Sequence, residues 1–224
     1  MKRSGDPDDI VPRAADDSIV AVDQMTWVTG GVDARLAMES SALVTIGRLT
    51  ARERLLIDAA RGGAMPESPD KVAALADVVR ALDRLGAVHA LVGGVAVGIR
   101  SGVPRATIDT DLAVRSTVER HAIIDALAAA GVRLTGTFAH SLNFRHSSGE
   151  PVQIVFDPEF DAMIERAEPL EVAGLRISVV TTADLIAMKQ RAAADPGRRR
   201  SKALRDQADI ELLRGDVPDP DEGW

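Results

Sequence analysis

The chain has no cysteine and no tyrosine, and only four Phe and two Trp among its 224 residues. Without cysteine, disulfide scaffolds, thiolate metal sites and cysteine nucleophiles are excluded together. So few rings do not suit a protein that grips single strands by stacking bases. Long apolar runs are missing as well. The longest stretch free of charge and strong polarity, Ala90 to Ile99, is about half of what a membrane span requires. The opening MKRSGDPDD places acid and proline where a signal peptide would need an apolar stretch. These absences predict a cytoplasmic protein with no membrane partner. Basic residues are outnumbered, 27 against 34 acids, for a net charge of −7 and a pI near 5.2. That excludes a general nucleic-acid coat and leaves room for a local basic patch. The length suits one domain, or one domain with an appendage, and lets a compact chain bury roughly 70–75 % of its unfolded surface.

Along the chain, residues 1–18 alternate acids, bases and prolines without periodicity. Such a segment buries too little apolar surface to offset chain entropy, which predicts disorder. Residues 19–67 read as a helical appendage: a helix over Asp33 to Leu49, then a capping box, Thr50-Ala-Arg-Glu53, opening a second helix that Gly62-Gly63 closes. A domain over 68–214 follows, with 215–224 as a tail. Ser68 is placed to cap a helix whose apolar face is Val72, Leu75, Val78, Val79, Leu82 and Leu85. Val88 to Val92 reads as a buried strand, turned by Gly93-Gly94 into a short helix from Val95. A strand over Ile108 to Val114 comes next, and a second capping box, Ser116-Thr-Val-Glu119, opens a helix that stops at Gly131. Three strands (133–138, 142–145, 152–156), a helix over Glu159 to Ala167, a hairpin turning at Ala173-Gly174 and two C-terminal helices complete the reading. Hairpin-linked strands mixed with helices predict an α+β fold, a mixed sheet flanked by helices with a C-terminal helical portion.

Chemistry concentrates in residues 91–112. In a strand, residues two apart share a face, so Asp109 and Asp111 project side by side. Two adjacent carboxylates repel unless a cation lies between them, and Mg²⁺ or Mn²⁺ takes such oxygens together with phosphate oxygens. Gly93-Gly94, between a strand and a helix, lets backbone N–H groups approach a bulky anion at the helix start. Arg100, Arg105 and Thr107 add phosphate donors between these features. The glycines fit neither the dinucleotide fingerprint nor the P-loop, and the four histidines lack metalloprotease spacing. From Lys189 to Arg205, seven cations face one acid, Asp195, a local excess suited to guiding a triphosphate or an RNA end.

Gly93-Gly94 followed by Arg105-x-Thr107-x-Asp109-x-Asp111 resembles the signature of the DNA polymerase β-like nucleotidyltransferase superfamily, and more narrowly the abortive-infection (AbiEii/AbiGii-like) toxin nucleotidyltransferases. The likeness continues in order through the segment at Ile164 to Ile177, the Thr182–Lys189 helix and Asp206-Gln-Ala-Asp209-Ile. The resemblance implies transfer of a nucleoside monophosphate from an NTP to an acceptor hydroxyl. The acceptor stays open between a tRNA 3′ end, a protein and a small molecule, and a cognate antitoxin is the implied partner. Asp109 and Asp111 would hold Mg²⁺ or Mn²⁺, and Gly93, Gly94, Arg105 and Thr107 the nucleotide. Lys189 would contact phosphate, and Asp206 or Asp209 would match the acid of the last helix. The superfamily's third carboxylate falls at Gln153, a neutral amide. Asp157, four residues on, is the expected substitute, and a nucleotide-binding module with impaired chemistry is the alternative reading.

Overall fold

A computed structural model describes residues 31–60, 69–172 and 174–216. The expected disorder of 1–18, the Gly62-Gly63 stop and most of the tail lie outside them. The elements are helix α1 (Gly31–Ala60), helix α2 (Lys71–Leu85), strand β1 (His89–Val92), helix α3 (Gly93–Ser101), strand β2 (Thr110–Val114) and helix α4 (Arg120–Ala129). Strands β3 (Val132–Thr137), β4 (Ser141–His146) and β5 (Pro151–Val155) follow. Next come helix α5 (Asp161–Glu165), strands β6 (Glu168–Val172) and β7 (Leu175–Val179), and helices α6 (Thr182–Ala194) and α7 (Arg200–Arg214).

The strands form one mixed sheet in the order β3-β4-β5-β2-β1-β7-β6. β2 runs parallel to β5, and β1 parallel to β7; the other neighbours are antiparallel. The α+β expectation holds. Alternation sets what each face does. Leu112, Ile154, Leu142 and Phe144 point into the core, so Asp111, Gln153 and Asn143 point to the opposite face. The apolar face foreseen on α2 is in place, with Leu75, Val78, Val79 and Leu82 fully buried. No helix among the described residues is long and apolar enough to cross a membrane.

Several local readings need correction, and at Thr50 and Ser116 a tertiary partner displaced the local one. Thr50 caps nothing: it sits inside the continuous helix α1. Its hydroxyl faces the Ile46 carbonyl at 2.8 Å and accepts from the Thr107 backbone N–H at 3.2 Å. Ser68, the expected cap of α2, lies outside the described residues, and Asp70 caps that helix, accepting from the Ala73 N–H at 2.9 Å. Ser116 opens no helix, because the Asp161 carboxylate takes both its N–H (2.8 Å) and its hydroxyl (2.7 Å), and α4 starts at Arg120. The helix expected over Glu159 to Ala167 is a 3-10 turn at Pro158–Phe160 followed by the short α5. Within the 19–67 segment, α1 sends Ala42, Leu43 and Ile46 into the common core and packs on α3 and β6. Thr50→Val keeps the volume but strands the buried Thr107 N–H. It is expected to cost about 1–3 kcal/mol in urea unfolding.

Candidate active site

The site is built where β1 ends. Gly93 takes the left-handed conformation (φ 68°) and opens α3 directly, two residues earlier than the sequence suggests. A Cβ at Gly93 would lie 2.0 Å from Asp111 Oδ2, and one at Gly94 would lie 2.4 Å from Thr107 Oγ1. The two glycines therefore make room for Asp111 and Thr107 to press against the helix start. Asp111 lies on β2, beside Val92 of β1 and Gln153 of β5. Asp109 sits just before that strand, and both acids line one cleft.

The cleft consists of two adjoining hollows of about 440 and 290 Å³ that share Gly93, Asp111, Gln153, Lys189, Arg198 and Asp206. Burial at its floor, with Asp109 close by, pushes Asp111 up to about 7. Lys189, Lys71 and Lys202 pull the other way.

The cations divide into two sets. Lys189 ion-pairs with Asp206 and Asp209, both at 2.9 Å, and Asp206 also receives Arg198 at 2.5 Å. Burial would raise the Asp206 carboxyl, but the hydrogen bonds from Lys189 and Arg198 outweigh it and leave the group below its usual range. Arg105, expected to contact phosphate, ion-pairs with the buried Asp209, donating through Nη2 to Oδ2 at 2.7 Å with Nε 2.7 Å from Oδ1. Arg100 turns away to the Val179 and Val180 carbonyls and Glu168. Lys202 and Arg205, three residues apart on α7, line the cleft and have no ion-pair partner among the described residues. Sequence reasoning placed them only in a general basic stretch, because nothing local tells a free cation from one that a distant acid has claimed.

Asp157 does not join the acid pair. Strand β5 ends at Val155, and the Asp157 side chain instead caps the 3-10 turn at Glu159 and pairs with His140 at 3.0 Å. Gln153 does occupy the strand position next to Asp111, where its Nε2 donates to Asn143 Oδ1 at 3.1 Å. No cluster of three or more His, Cys, Asp or Glu able to hold a metal occurs among the described residues.

A second group of residues, none of them given this role in the sequence reading, holds the acid-bearing loop. Three successive carbonyls are each met by a side chain from before residue 72: Thr107 faces the Thr50 hydroxyl (3.1 Å), Ile108 accepts from Arg54 (2.8 Å) and Asp109 from Lys71 (3.2 Å). Lys71 is 2 % exposed and pairs with Glu150, which is 1 % exposed. Glu150 lies in the β4–β5 turn, where an acid ordinarily signals solvent. Its burial could not be read from that context.

A glycine-turned strand and helix facing an acid pair, with cationic helices across the cleft, is the layout of a nucleotidyltransferase. The chain belongs to the family described as nucleotidyl transferase AbiEii toxin of type IV toxin–antitoxin systems, whose sequence model matches residues 74–222. The protein is thus a nucleotidyltransferase of that family. No curated protein sequence matches it. Among solved structures, it is similar to the lincosamide antibiotic adenylyltransferase LnuA with lincomycin bound, at 13% identity and TM-score 0.48, over 64% of this chain and 96% of that one. The antibiotic-resistance factor ANT(2'')-Ia aligns at 18% identity and TM-score 0.46, over 65% and 90%. An antigenic nucleotidyltransferase-like protein from Paracoccidioides brasiliensis aligns at 23% identity and TM-score 0.46, over 69% and 81%.

Proposed function

We propose that this protein moves a nucleoside monophosphate from an NTP to an acceptor hydroxyl, and that it does so in the cytoplasm as the toxin of a toxin–antitoxin pair, on an RNA end. The observation that carries the reading is the contact of the Asp111 carboxylate with the Gly93 turn in a cleft rimmed by free cations. Asp109 and Asp111 fit a divalent cation. Burial and the nearby Asp109 charge raise the Asp111 carboxyl to about 7, a cost that a cation beside the two acids would relieve. Mg²⁺ characteristically binds through one or two carboxylates, with phosphate and water oxygens completing its shell. Such an ion, Mg²⁺ or Mn²⁺, would neutralise charge on the reacting phosphate oxygens.

The protein's own residues do the rest. Lys202 and Arg205 are free to take the triphosphate. Arg105, Lys189, Asp206 and Asp209 form the ionic brace that fixes α6 and α7 over the cleft. The acceptor oxygen bonds to the α-phosphorus as the bond to the β-phosphate bridge breaks, and that electron pair leaves with pyrophosphate. The hydroxyl proton passes to water, since Gln153 offers no basic atom.

Incubation with each labelled NTP, Mg²⁺ and total RNA should transfer label to RNA, and Asp111→Asn should reduce that transfer about 10²–10³-fold, the range for loss of an electrostatic catalytic group. Transfer undiminished in that variant would reject the site. Binding of Mn²⁺ to the protein alone should weaken up to tenfold per pH unit below about 7, where Asp111 carries a proton, and level off above. The sign for folding is opposite. Without metal, a carboxyl raised from 3.8 to about 7 makes the fold less stable as pH climbs through that interval.

Gln153 supports a second reading, a module that binds nucleotide with little turnover. Tight NTP binding in calorimetry with no label moved to RNA, protein or small molecules would favour it.

A further inference from the structure

We propose that the open face of β3, β4 and β5 is the acceptor's docking surface, and that it is shaped for the 3′-terminal stretch of a single-stranded RNA. The proposal deepens the transfer reading above and rests on it. Two rows of residues lead from the acids across the sheet. Asp111 is followed by Gln153, Asn143 and Gly136 on successive strands. One step toward Asp109, Pro151 is followed by Arg145 and Arg133. At a strand spacing of about 4.8 Å, Asn143 stands about 10 Å from the catalytic strand and Arg133 about 14 Å.

Arg133 and Arg145 are directly opposed across β3 and β4, and both are exposed. Like charges at opposed positions destabilise a sheet. No carboxylate offsets them: neither pairs with an acid among the described residues, and the same-face positions 133, 136, 141, 143, 145, 151, 153 and 155 include no acid. Arg145 is steadied through its Nη1 hydrogen bond to the Gly149 carbonyl at 2.9 Å. In a chain of net charge −7, this pair is a place where a polyanion removes a repulsion the fold otherwise bears.

The neighbouring groups suit a nucleotide. Because the Gln153 amide is spent on Asn143 Oδ1, the pair keeps one carbonyl oxygen and one NH₂ group for a base edge. Phe138 is 56% exposed, and its ring passes 3.1 Å from where a Cβ at Gly136 would stand. A bare glycine thus seats an exposed aromatic face beside the amide row. One ring makes no stacking track, so charge carries the affinity and Phe138 one base.

The direction follows from the chemistry. Pyrophosphate leaves toward the glycine turn and α7, so an in-line hydroxyl enters from the far side of Asp111, where these three strands lie. A cationic small molecule finds no acid on these three strands, and Glu159, which lines the same hollow, comes from the turn after β5.

The test uses the full chain and a fluorescein-labelled single-stranded RNA of twelve nucleotides, followed by anisotropy at several salt concentrations. The double variant R133E/R145E should weaken binding at least thirtyfold and flatten the salt slope by about 1.4, the counterions of two phosphate contacts. Phe138→Ala should weaken it about tenfold, within the range for one stacked base, and Phe138→Trp should restore it. NTP affinity by calorimetry should stay at the wild-type value in all three. RNA binding unchanged in R133E/R145E, or NTP affinity falling with it, overturns the surface, as does a wild type that labels protein and never RNA. Label transfer lost in Asp111→Asn but intact in the face variants overturns the surface and spares the cleft. Transfer intact in Asp111→Asn, with RNA binding lost in the face variants, does the reverse.

Discussion

Lys71→Met is expected to destabilise the protein by about 3–5 kcal/mol, the range for removing one partner of a buried ion pair. The ammonium is enclosed with Glu150 and also faces the Asp109 carbonyl at 3.2 Å and Thr110 Oγ1 at 3.4 Å. Thr110 donates to Glu150 Oε1 at 3.2 Å, and Glu150 Oε2 has no partner. Burial already lifts the Glu150 carboxyl above its ordinary value, against the pull of Lys71. Without Lys71 the carboxyl must rise further and take up a proton. The variant should therefore lose more stability at pH 8 than at pH 5, because ionising the buried acid opposes folding as pH rises. Urea unfolding at both values measures this. Lys71→Met/Glu150→Leu should recover most of the loss, since an apolar pair of similar volume carries no desolvation cost. A single variant as stable as wild type at both pH values would mean that the pair is solvated. The double variant should fold and still transfer poorly, because the Asp109 carbonyl has lost its tether.

Gly93→Ala is expected to lower transfer at least 10²-fold, the scale of an ångström's misplacement at a reacting centre. The new methyl would stand 2.0 Å from Asp111 Oδ2 and 2.8 Å from its Cγ, so the carboxylate must swing away from the helix start. Backbone strain adds about 1–2 kcal/mol of destabilisation, because φ is 68°. Gly86→Ala separates the two effects. Gly86 has φ 70° and nothing within 4 Å of an added Cβ, so it should show the same stability loss with transfer retained. Equal kcat/KM losses in both variants would mean that strain alone is responsible and that the Gly93–Asp111 contact is incidental.

What could be read in advance was whatever repeats locally or depends on chain neighbours. The α2 face followed from apolar spacing, and the β6–β7 hairpin from the glycine at its turn, Gly174 (φ 74°). Gly93, Gly94, Thr107, Asp109 and Asp111 were visible as a group because a short loop keeps them near in sequence. Thr50 and Ser116 were misread for a common reason. Each has the sequence of a helix cap, but a hydroxyl binds whichever backbone group or carboxylate the fold brings, here Thr107 and Asp161. Asp157 and Arg105 show the same limit for charge. Both suit the site by spacing, yet His140 and Asp209 are nearer partners in space.

The residue order by itself determined most of the strands, the glycine bend and the acid pair, since these need only hydrophobic alternation and backbone freedom within about twenty residues, whereas the parallel pairing of β1 with β7 joins Leu91 to Val179. Tertiary structure alone decided which cations are free, which acids brace other side chains, and that α1 and Lys71 hold the acid-bearing loop. Coulomb and hydrogen-bond partners are selected by distance through space, and contacts such as Arg105 to Asp209 or Lys71 to Glu150 join positions 104 and 79 residues apart.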